Sequence, residues 1–194
     1  PASKFELEEK IQKSRFIASV IPFEKQEELS GIIERFRKQH FKANHNCYAW
    51  RIGHPDKEAF HYSDDGEPSG TAGLPIMQAI RGAKLSDVLV VVTRYFGGVK
   101  LGTGGLVRAY GGVSRQALET VETLQKIIEH DLELVFDYSF LTQVKRILSS
   151  NETRERNSEF AENVKLELSV PLSKLERLRT ELTDLFQGQG EISG

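Results

Sequence analysis

The hydrophobic residues of the first two-thirds of the chain follow two periods, the two-residue period of strands and the longer period of helices. Apolar residues alternate from Ser14 until Pro22 ends the run, as expected for a strand. Leu29, Ile32 and Phe36 then recur at helical spacing. The predicted elements are strands over residues 14–22, 46–52 and 59–62, a turn at 53–56, and helices over residues 24–40 and 75–81.

An unbroken aliphatic run, Val88 to Thr93, predicts a strand that is buried on both faces. The turn at residues 94–98 follows it, and a further glycine cluster opens an amphipathic helix predicted over residues 104–128. Gly111 and Gly112 interrupt that helix, where each glycine is less favourable than alanine by roughly 1 kcal/mol. They therefore indicate close packing against the sheet or a kink.

The last third of the chain has its own pattern of alternating elements. The predicted order is a strand near residues 132–136, a helix over 139–149, strands over 153–160 and 164–170, a helix over 173–186 and a last strand over 188–192. This βαββαβ order is that of a ferredoxin-like domain. The residues Glu129 to Asp131 separate it from the preceding helix, so we expect an α+β protein with two domains, residues 1–129 and residues 130–194.

Composition and charge narrow the function classes only slightly. A single cysteine excludes a disulfide framework and a multi-cysteine zinc site, and it is compatible with a cytoplasmic location. No apolar run approaches the ~20 residues of a membrane helix, so we expect no membrane partner. Residues 1–128 carry a net charge of +3 and residues 129–194 one of −5, a division that does not oppose nucleic-acid binding by the first domain.

Glycine and positive charge are concentrated around the turn after the aliphatic strand. Of the 16 glycines, 11 lie between Gly66 and Gly112, and glycine allows backbone to come close to another element or a ligand. Where a strand leads into a helix through glycines, free N–H groups favour an anion. Thr103 and Gly104 stand where a Walker loop needs Lys and Ser or Thr, and the dinucleotide fingerprint is also incomplete. The pattern thus indicates either a binding surface or tight strand–helix packing.

Three carboxylates, Asp64, Asp65 and Glu67, lie in a polar loop predicted over residues 64–73. Such a group could supply an acid–base pair or a Mg²⁺ site. Carboxylates beside a glycine more often stabilise turns, and we favour that interpretation. The competing hypothesis is an enzyme for a small anionic or phosphorylated substrate, with one of the aspartates as its base.

His45 and Cys47 share one face of their predicted strand, but two ligands are too few for a closed zinc site. Neighbours at i and i+2 of a strand also make a poor nucleophile–base pair. We therefore predict no catalytic residue, no metal and no cofactor. Of the aromatic residues, Tyr95 and Tyr110 could stack on bases, whereas we assign Phe96 to the core.

Several motifs occur together in an order that resembles one known family. They are Lys13-Ser-Arg-Phe16, His45-Asn-Cys-Tyr-Ala49, Ser63-Asp-Asp-Gly-Glu-Pro68, Gly70-Thr-Ala-Gly73, and Arg94-Tyr-Phe-Gly-Gly98 followed by Leu101-Gly102. Through them the first two-thirds of the chain is identified as a member of the IMPACT family, in its bacterial branch. The last third is similar to the family's smaller C-terminal domain in length and element order.

The resemblance implies a fold and a function. IMPACT-like N-terminal domains resemble domain IV of elongation factor G, and the C-terminal domains resemble its ferredoxin-like domain V. A translation-linked protein that contacts RNA or ribosomal particles is therefore expected, with a protein partner in translation control or stress response as the alternative. Because the chain begins close to Lys13, we expect a form without the RWD extension through which eukaryotic relatives act on an initiation-factor kinase.

The candidate binding residues combine the basic and glycine-rich turn with the motifs of the resemblance. They are Lys13, Arg15, His45, Asp64, Asp65, Glu67, Thr71, Arg94, Tyr95, Gly97, Gly98, Lys100, Gly102, Gly104, Gly105 and Arg108. We expect the loop at 64–73 and the turn at 94–105 to lie side by side and to form the principal functional surface.

Overall fold

The computed structural model describes residues 1–53 and 57–194 and divides into two compact units, residues 1–124 and residues 125–194. The turn predicted at 53–56 falls mostly outside the described residues. Each unit contains a β-sheet and helices, so the predicted α+β class with two domains is confirmed. Among the described helices, none is long and apolar enough to span a bilayer.

The N-terminal unit is built on one antiparallel sheet with the strand order β1-β2-β5-β3-β4. Its strands are β1 (Phe5–Ile11), β2 (Ser14–Pro22), β3 (His45–Ile52), β4 (Ala59–Ser63) and β5 (Val88–Tyr95). Its helices are α1 (Leu29–Gln39), α2 (Gly73–Gly82) and α3 (Gly102–Thr120). The strand that comes last in this unit along the chain, β5, thus lies in the middle of the sheet.

The central strand β5 divides the core of this unit into two layers. Val88, Val90 and Val92 belong to the apolar cluster formed with α2 and α3, whereas Leu89 and Val91 belong to the cluster formed with α1. All five side chains are fully buried. The prediction that this run forms a strand buried on both faces is confirmed, and the aliphatic composition follows from helices covering both sides.

The edge strand β1 was not predicted. It pairs with β2 from Phe5↔Val20 to Ile11↔Ser14, and Gln12 and Lys13 form the connecting turn with positive φ angles of 44° and 68°. Lys13 therefore lies in the hairpin turn, directly before the first residue of β2.

Helix α3 ends at Thr120, eight residues before the predicted end at residue 128. Val121 is extended, with φ −65° and ψ 137°, and it is the last buried residue of the helical face. Leu124 and Ile127 beyond it are 71% and 61% exposed. Because helices in proteins depend on packing of an apolar face, the helix stops where that packing stops.

The C-terminal unit has the element order β6 (Glu129–Phe136), α4 (Leu141–Ser150), β7 (Arg154–Phe160), β8 (Val164–Pro171), α5 (Leu172–Phe186) and β9 (Gly190–Ser193). Its antiparallel sheet has the order β7-β8-β6-β9. The predicted ferredoxin-like βαββαβ arrangement is thereby confirmed. The unit begins a few residues before the predicted domain limit at 129/130.

We expect residues 125–194 to fold in isolation, because this unit has its own apolar core between sheet and helices. That core includes Leu134, Leu166, Leu178 and Phe186, each at most 2% exposed. The check is urea unfolding of the isolated segment, followed by circular dichroism. A single cooperative transition is expected, and a gradual loss of signal would show that the segment is not a domain.

Candidate functional site

Four connections of the N-terminal unit meet at one end of its sheet. β2 and β3 begin there and β5 ends there, since Arg15 pairs with Tyr95 and His45 pairs with Arg94. The connections are the β1–β2 turn, the segment 40–44 before β3, the loop 64–72 after β4, and the turn 96–101 after β5. The topology therefore gathers motifs that are widely separated in the sequence.

The loop after β4 is joined to β5 by a buried ion pair. An Nη1 proton of Arg94 is donated to Oε1 of Glu67 over 2.5 Å, and the two side chains are 7% and 4% exposed. The hydroxyl of Tyr110 on α3 donates to the same oxygen over 2.8 Å. The predicted proximity of the two segments is confirmed. Their role as a functional surface stays a prediction.

Arg94 is one of the predicted binding residues, and here the structure corrects the prediction. Its guanidinium is buried, and the carboxylate of Glu67 neutralises its charge. The carboxylate of Glu67 compensates part of the free energy that is needed to remove the Arg94 charge from water. Because its charge is already paired in this way, Arg94 has no free charge to bind a ligand. Arg94 is thus a structural residue that fastens the loop to the sheet.

The two aspartates of the loop also have structural partners. Asp64 accepts hydrogen bonds from the backbone N–H groups of Gly70, Ala72 and Gly73, which closes the loop and satisfies the first turn of α2. Thr71 contributes too, since its hydroxyl donates to the carbonyl of Pro68 over 2.6 Å. This arrangement is the turn-stabilising role that we favoured for the carboxylates.

Asp65 connects the same loop to α1 and to β3. One carboxylate oxygen pairs with Arg37 over 2.9 Å and the other accepts from the N–H of Asn46 over 2.7 Å. Nδ1 of His45 lies 2.8 Å from the backbone oxygen of Asp65. These contacts leave neither aspartate positioned as a free base.

Cys47 and Tyr110 lie in the core beneath the loop. The Cys47 thiol donates to the carbonyl of Asp64 over 2.9 Å and lies 3.4 Å from the Tyr110 hydroxyl. Burial raises the pKa of the Cys47 thiol, and burial likewise raises the pKa of Tyr110. The thiol therefore stays protonated at neutral pH and is a poor nucleophile. Tyr110, fully buried, is not available to stack on a base.

Gly97 allows the turn after β5 to lie directly on the β1–β2 hairpin. A Cβ atom at this position would be 1.8 Å from the carbonyl oxygen of Lys13, so only glycine fits. This close approach brings Lys13 beside the turn that carries Lys100. Gly98 and Gly102 have positive φ angles of 85° and 68°, which shape the same turn.

Arg15 and Tyr95 are also engaged at this end of the sheet. Nε of Arg15 pairs with Glu8 over 2.9 Å, and its guanidinium lies 5.0 Å from the centroid of the Tyr95 ring. The Tyr95 hydroxyl lies 2.8 Å from Nδ1 of His40. Both residues are partly exposed and have partners within the fold, whereas Lys13, Lys100 and Arg108 are exposed.

The structure adds exposed apolar residues that the sequence did not indicate. Phe96, predicted to be in the core, is 44% exposed, and Phe41 is 77% exposed. Asn44 links their segments, because its side-chain oxygen accepts from the N–H of Phe96 and its own N–H donates to the carbonyl of Arg94. We define the sheet-end patch as six exposed apolar and basic residues of the β1–β2 turn, the segment 40–44 and the turn 96–101. They are Lys13, Phe41, Lys42, Phe96, Val99 and Lys100.

The glycines at the start of α3 follow this patch directly. A Cβ atom at Gly104 would have one close neighbour, the tip of the Arg108 side chain at 3.6 Å, and a Cβ atom at Gly105 would contact Leu101 at 3.1 Å. No side chain caps the first turn of α3, and that turn contains no acidic residue. Within the described residues, no group of three or more His, Cys, Asp or Glu side chains is arranged to hold a metal ion.

Comparisons with known proteins agree on one family. The Impact N-terminal domain matches residues 12–118, and a domain of unknown function (DUF1949) matches residues 134–189. The chain is 36% identical over 193 residues to the IMPACT family member YigZ of Escherichia coli (strain K12), covering 99% of this chain and 95% of that protein.

Solved structures match as well. A crystal structure described as that of a hypothetical protein is 36% identical, covers 99% of this chain and 94% of its own, and superposes with a TM-score of 0.66. The two-domain translational regulator Yih1 is 23% identical, covering 61% of this chain and 45% of its own, with a TM-score of 0.37.

Proposed function

The chain belongs to the IMPACT family, and we propose that it is a non-catalytic, translation-linked protein that contacts RNA or ribosomal particles through the sheet-end patch. The observation that carries the proposal is the composition of the patch. Two exposed phenylalanines, Phe41 and Phe96, stand among the exposed lysines Lys13, Lys42 and Lys100.

Exposed aromatic rings and lysines in one surface suit single-stranded RNA. Successive bases stack on aromatic side chains, and the lysines neutralise the phosphates between them. The uncapped N-terminus of α3 adds free backbone N–H groups beside Lys100, which favour a phosphate at the same place. Gly98 has no side chain, and a Cβ there would meet nothing within 4 Å, so a ribose can approach the backbone of the turn at this residue.

The groups that an enzyme would use are engaged elsewhere. Asp64 closes its loop, Asp65 pairs with Arg37, and Glu67 pairs with Arg94. Cys47 is buried as a protonated thiol. A binding role for the exposed patch therefore accounts for the arrangement better than catalysis by the loop does.

A protein-interaction surface is the second candidate. Phe41 and Val99, 77% and 38% exposed, would serve a protein partner as well as a base. The two functions differ in their response to salt, because phosphate contacts release counterions and make RNA affinity fall with ionic strength.

The test is a salt titration of RNA binding by a double variant, Lys13→Glu with Lys100→Glu. We expect its affinity for single-stranded RNA to fall at least about tenfold, and the log–log salt slope to become shallower by roughly 1.4, or about 0.7 per phosphate contact. The measurement is fluorescence anisotropy with a labelled oligouridylate at several salt concentrations.

The matched control is Lys25→Glu with Lys84→Glu, which changes the net charge equally. Lys25 follows β2 and Lys84 precedes β5, so both lie at the opposite end of the same sheet and are exposed. The control should bind as the wild type does. Equal slopes for the two double variants, or binding insensitive to salt, would remove the RNA proposal and favour the protein-interaction surface.

A further inference from the structure

A cleft of about 260 Å³ lies between α2 and α3. Its polar lining comes from Gln78 on α2 and from Arg108 and Arg115 on α3, and its floor on α3 is formed by Gly111 and Gly112. The three polar side chains are exposed. The cleft thus presents positive charge and hydrogen-bond donors above bare helix backbone.

Packing does not explain both glycines of the floor. A Cβ at Gly111 would meet that of Pro75 at 3.6 Å, an ordinary contact, and a Cβ at Gly112 would meet nothing within 4 Å. Neither residue has a positive φ angle. Glycine at 112 is therefore unfavourable for the helix and unnecessary for the fold. What it does is keep the cleft open.

The two arginines are free to contact a ligand. Among the described residues neither Arg108 nor Arg115 forms an ion pair with a carboxylate. Seven residues apart, they share one face of α3 and are separated by about 10 Å along its axis. That distance corresponds to about three stacked nucleotides at 3.4 Å each.

We propose that this cleft is a second phosphate-binding site, which holds the backbone of the same RNA strand beyond the nucleotides at the sheet-end patch. The inference rests on the proposed function. From Lys100 to Arg115 the chain advances roughly 20 Å along α3, so a strand that contacts both sites spans about six stacked nucleotides.

The chemistry of the cleft fits a sugar–phosphate backbone. Guanidinium groups donate two parallel hydrogen bonds to a phosphate, and the Gln78 amide can donate to a phosphate or exchange hydrogen bonds with a 2′-hydroxyl. Because Gly111 and Gly112 lack side chains, a ribose can lie against the helix between the arginines. An RNA strand that is long enough to reach the cleft therefore gains contacts along α3 that a shorter strand lacks.

The test compares oligouridylates of about 4 and about 12 nucleotides against two variants. Arg115→Gln removes one phosphate contact, and Gly112→Leu fills the cleft without meeting other atoms at its Cβ. Each should weaken binding of the longer RNA by about five- to tenfold and leave binding of the shorter RNA unchanged. Arg115→Gln should also reduce the salt slope for the longer RNA by about 0.7.

The controls are Arg35→Gln and Gly31→Leu on α1, where the arginine is exposed and a Cβ at Gly31 has open space. Both should bind the two RNAs as the wild type does. Thermal unfolding of every variant excludes a folding defect.

The outcomes separate the two proposals. If the longer RNA binds the wild type and both cleft variants equally, the cleft inference fails and the proposed function stands. If the wild type binds neither RNA, both fail. If a polyglutamate peptide binds in an Arg115-dependent way and RNA does not, the cleft belongs to an acidic protein segment, which overturns the inference.

Discussion

Replacing Glu67 with alanine is expected to lower the free energy of unfolding of the N-terminal unit by about 3–5 kcal/mol. The substitution leaves the guanidinium of Arg94 buried without its carboxylate and removes the acceptor of the Tyr110 hydroxyl. An unpaired buried charge is far more unfavourable than the loss of a surface ion pair. Urea unfolding of the purified variant and the wild type measures the difference.

Two further variants show whether the buried charge is the cause. Glu67→Gln keeps an oxygen for Tyr110 and removes the negative charge, so most of the loss should remain. Glu34→Ala breaks the exposed pair with Lys38, whose atoms are 2.7 Å apart, and should change stability by less than about 1 kcal/mol. A Glu67→Ala variant as stable as Glu34→Ala would contradict a structural role for the Arg94–Glu67 pair.

The fold was largely predictable because its strands and helices have strong hydrophobic periods. The run Val88–Thr93 has no polar face, and the structure covers β5 with helices on both sides. Strict alternation from Val164 to Val170 likewise located β8. In long segments of this kind the spacing of the apolar residues shows which side chains are buried, so the strand can be recognised from the sequence alone.

Elements at the edges of the fold were harder to predict. The edge strand β1, Phe5–Ile11, contains three glutamates and a lysine, and only one of its faces packs on the core. Charged residues protect such an edge from pairing with other chains, and they also obscure the strand pattern. The end of α3 was missed because Leu124 and Ile127 continue an apolar sequence that nothing in the described fold covers.

The proximity of the motifs was predicted, whereas the burial and the partners of their residues were not. The motifs do converge at one end of the sheet, but which cation is free depends on contacts between distant segments. Arg94 and Lys100 are both basic residues of one short, glycine-rich segment of the sequence. Only Arg94 is buried and paired with Glu67, whereas Lys100 is exposed. Phe96 follows a buried strand and was assigned to the core, whereas the turn directs it outward.

Replacing Gly97 with alanine is expected to destabilise the N-terminal unit by about 3 kcal/mol and to separate two turns of the sheet-end patch. The new Cβ would lie 1.8 Å from the carbonyl oxygen and 2.1 Å from the carbonyl carbon of Lys13. Backbone atoms cannot shift as easily as the end of a flexible side chain, so the β1–β2 hairpin must move away. The expected loss in the free energy of unfolding is therefore at the upper end of the range that is usual for overpacked cores.

Amide hydrogen exchange, measured together with urea unfolding, distinguishes a local movement of the β1–β2 hairpin from destabilisation of the whole protein. In Gly97→Ala, the amides that pair Ile11 with Ser14 should exchange faster, while those of β8 in the other unit should be unaffected. Gly82→Ala is the control, because a Cβ there meets nothing within 4 Å and α2 gains a better helix former. Because RNA binding at the patch needs Lys13 beside Lys100, Gly97→Ala should also weaken that binding. If stability and amide exchange were both unchanged in Gly97→Ala, the two turns could not be in contact.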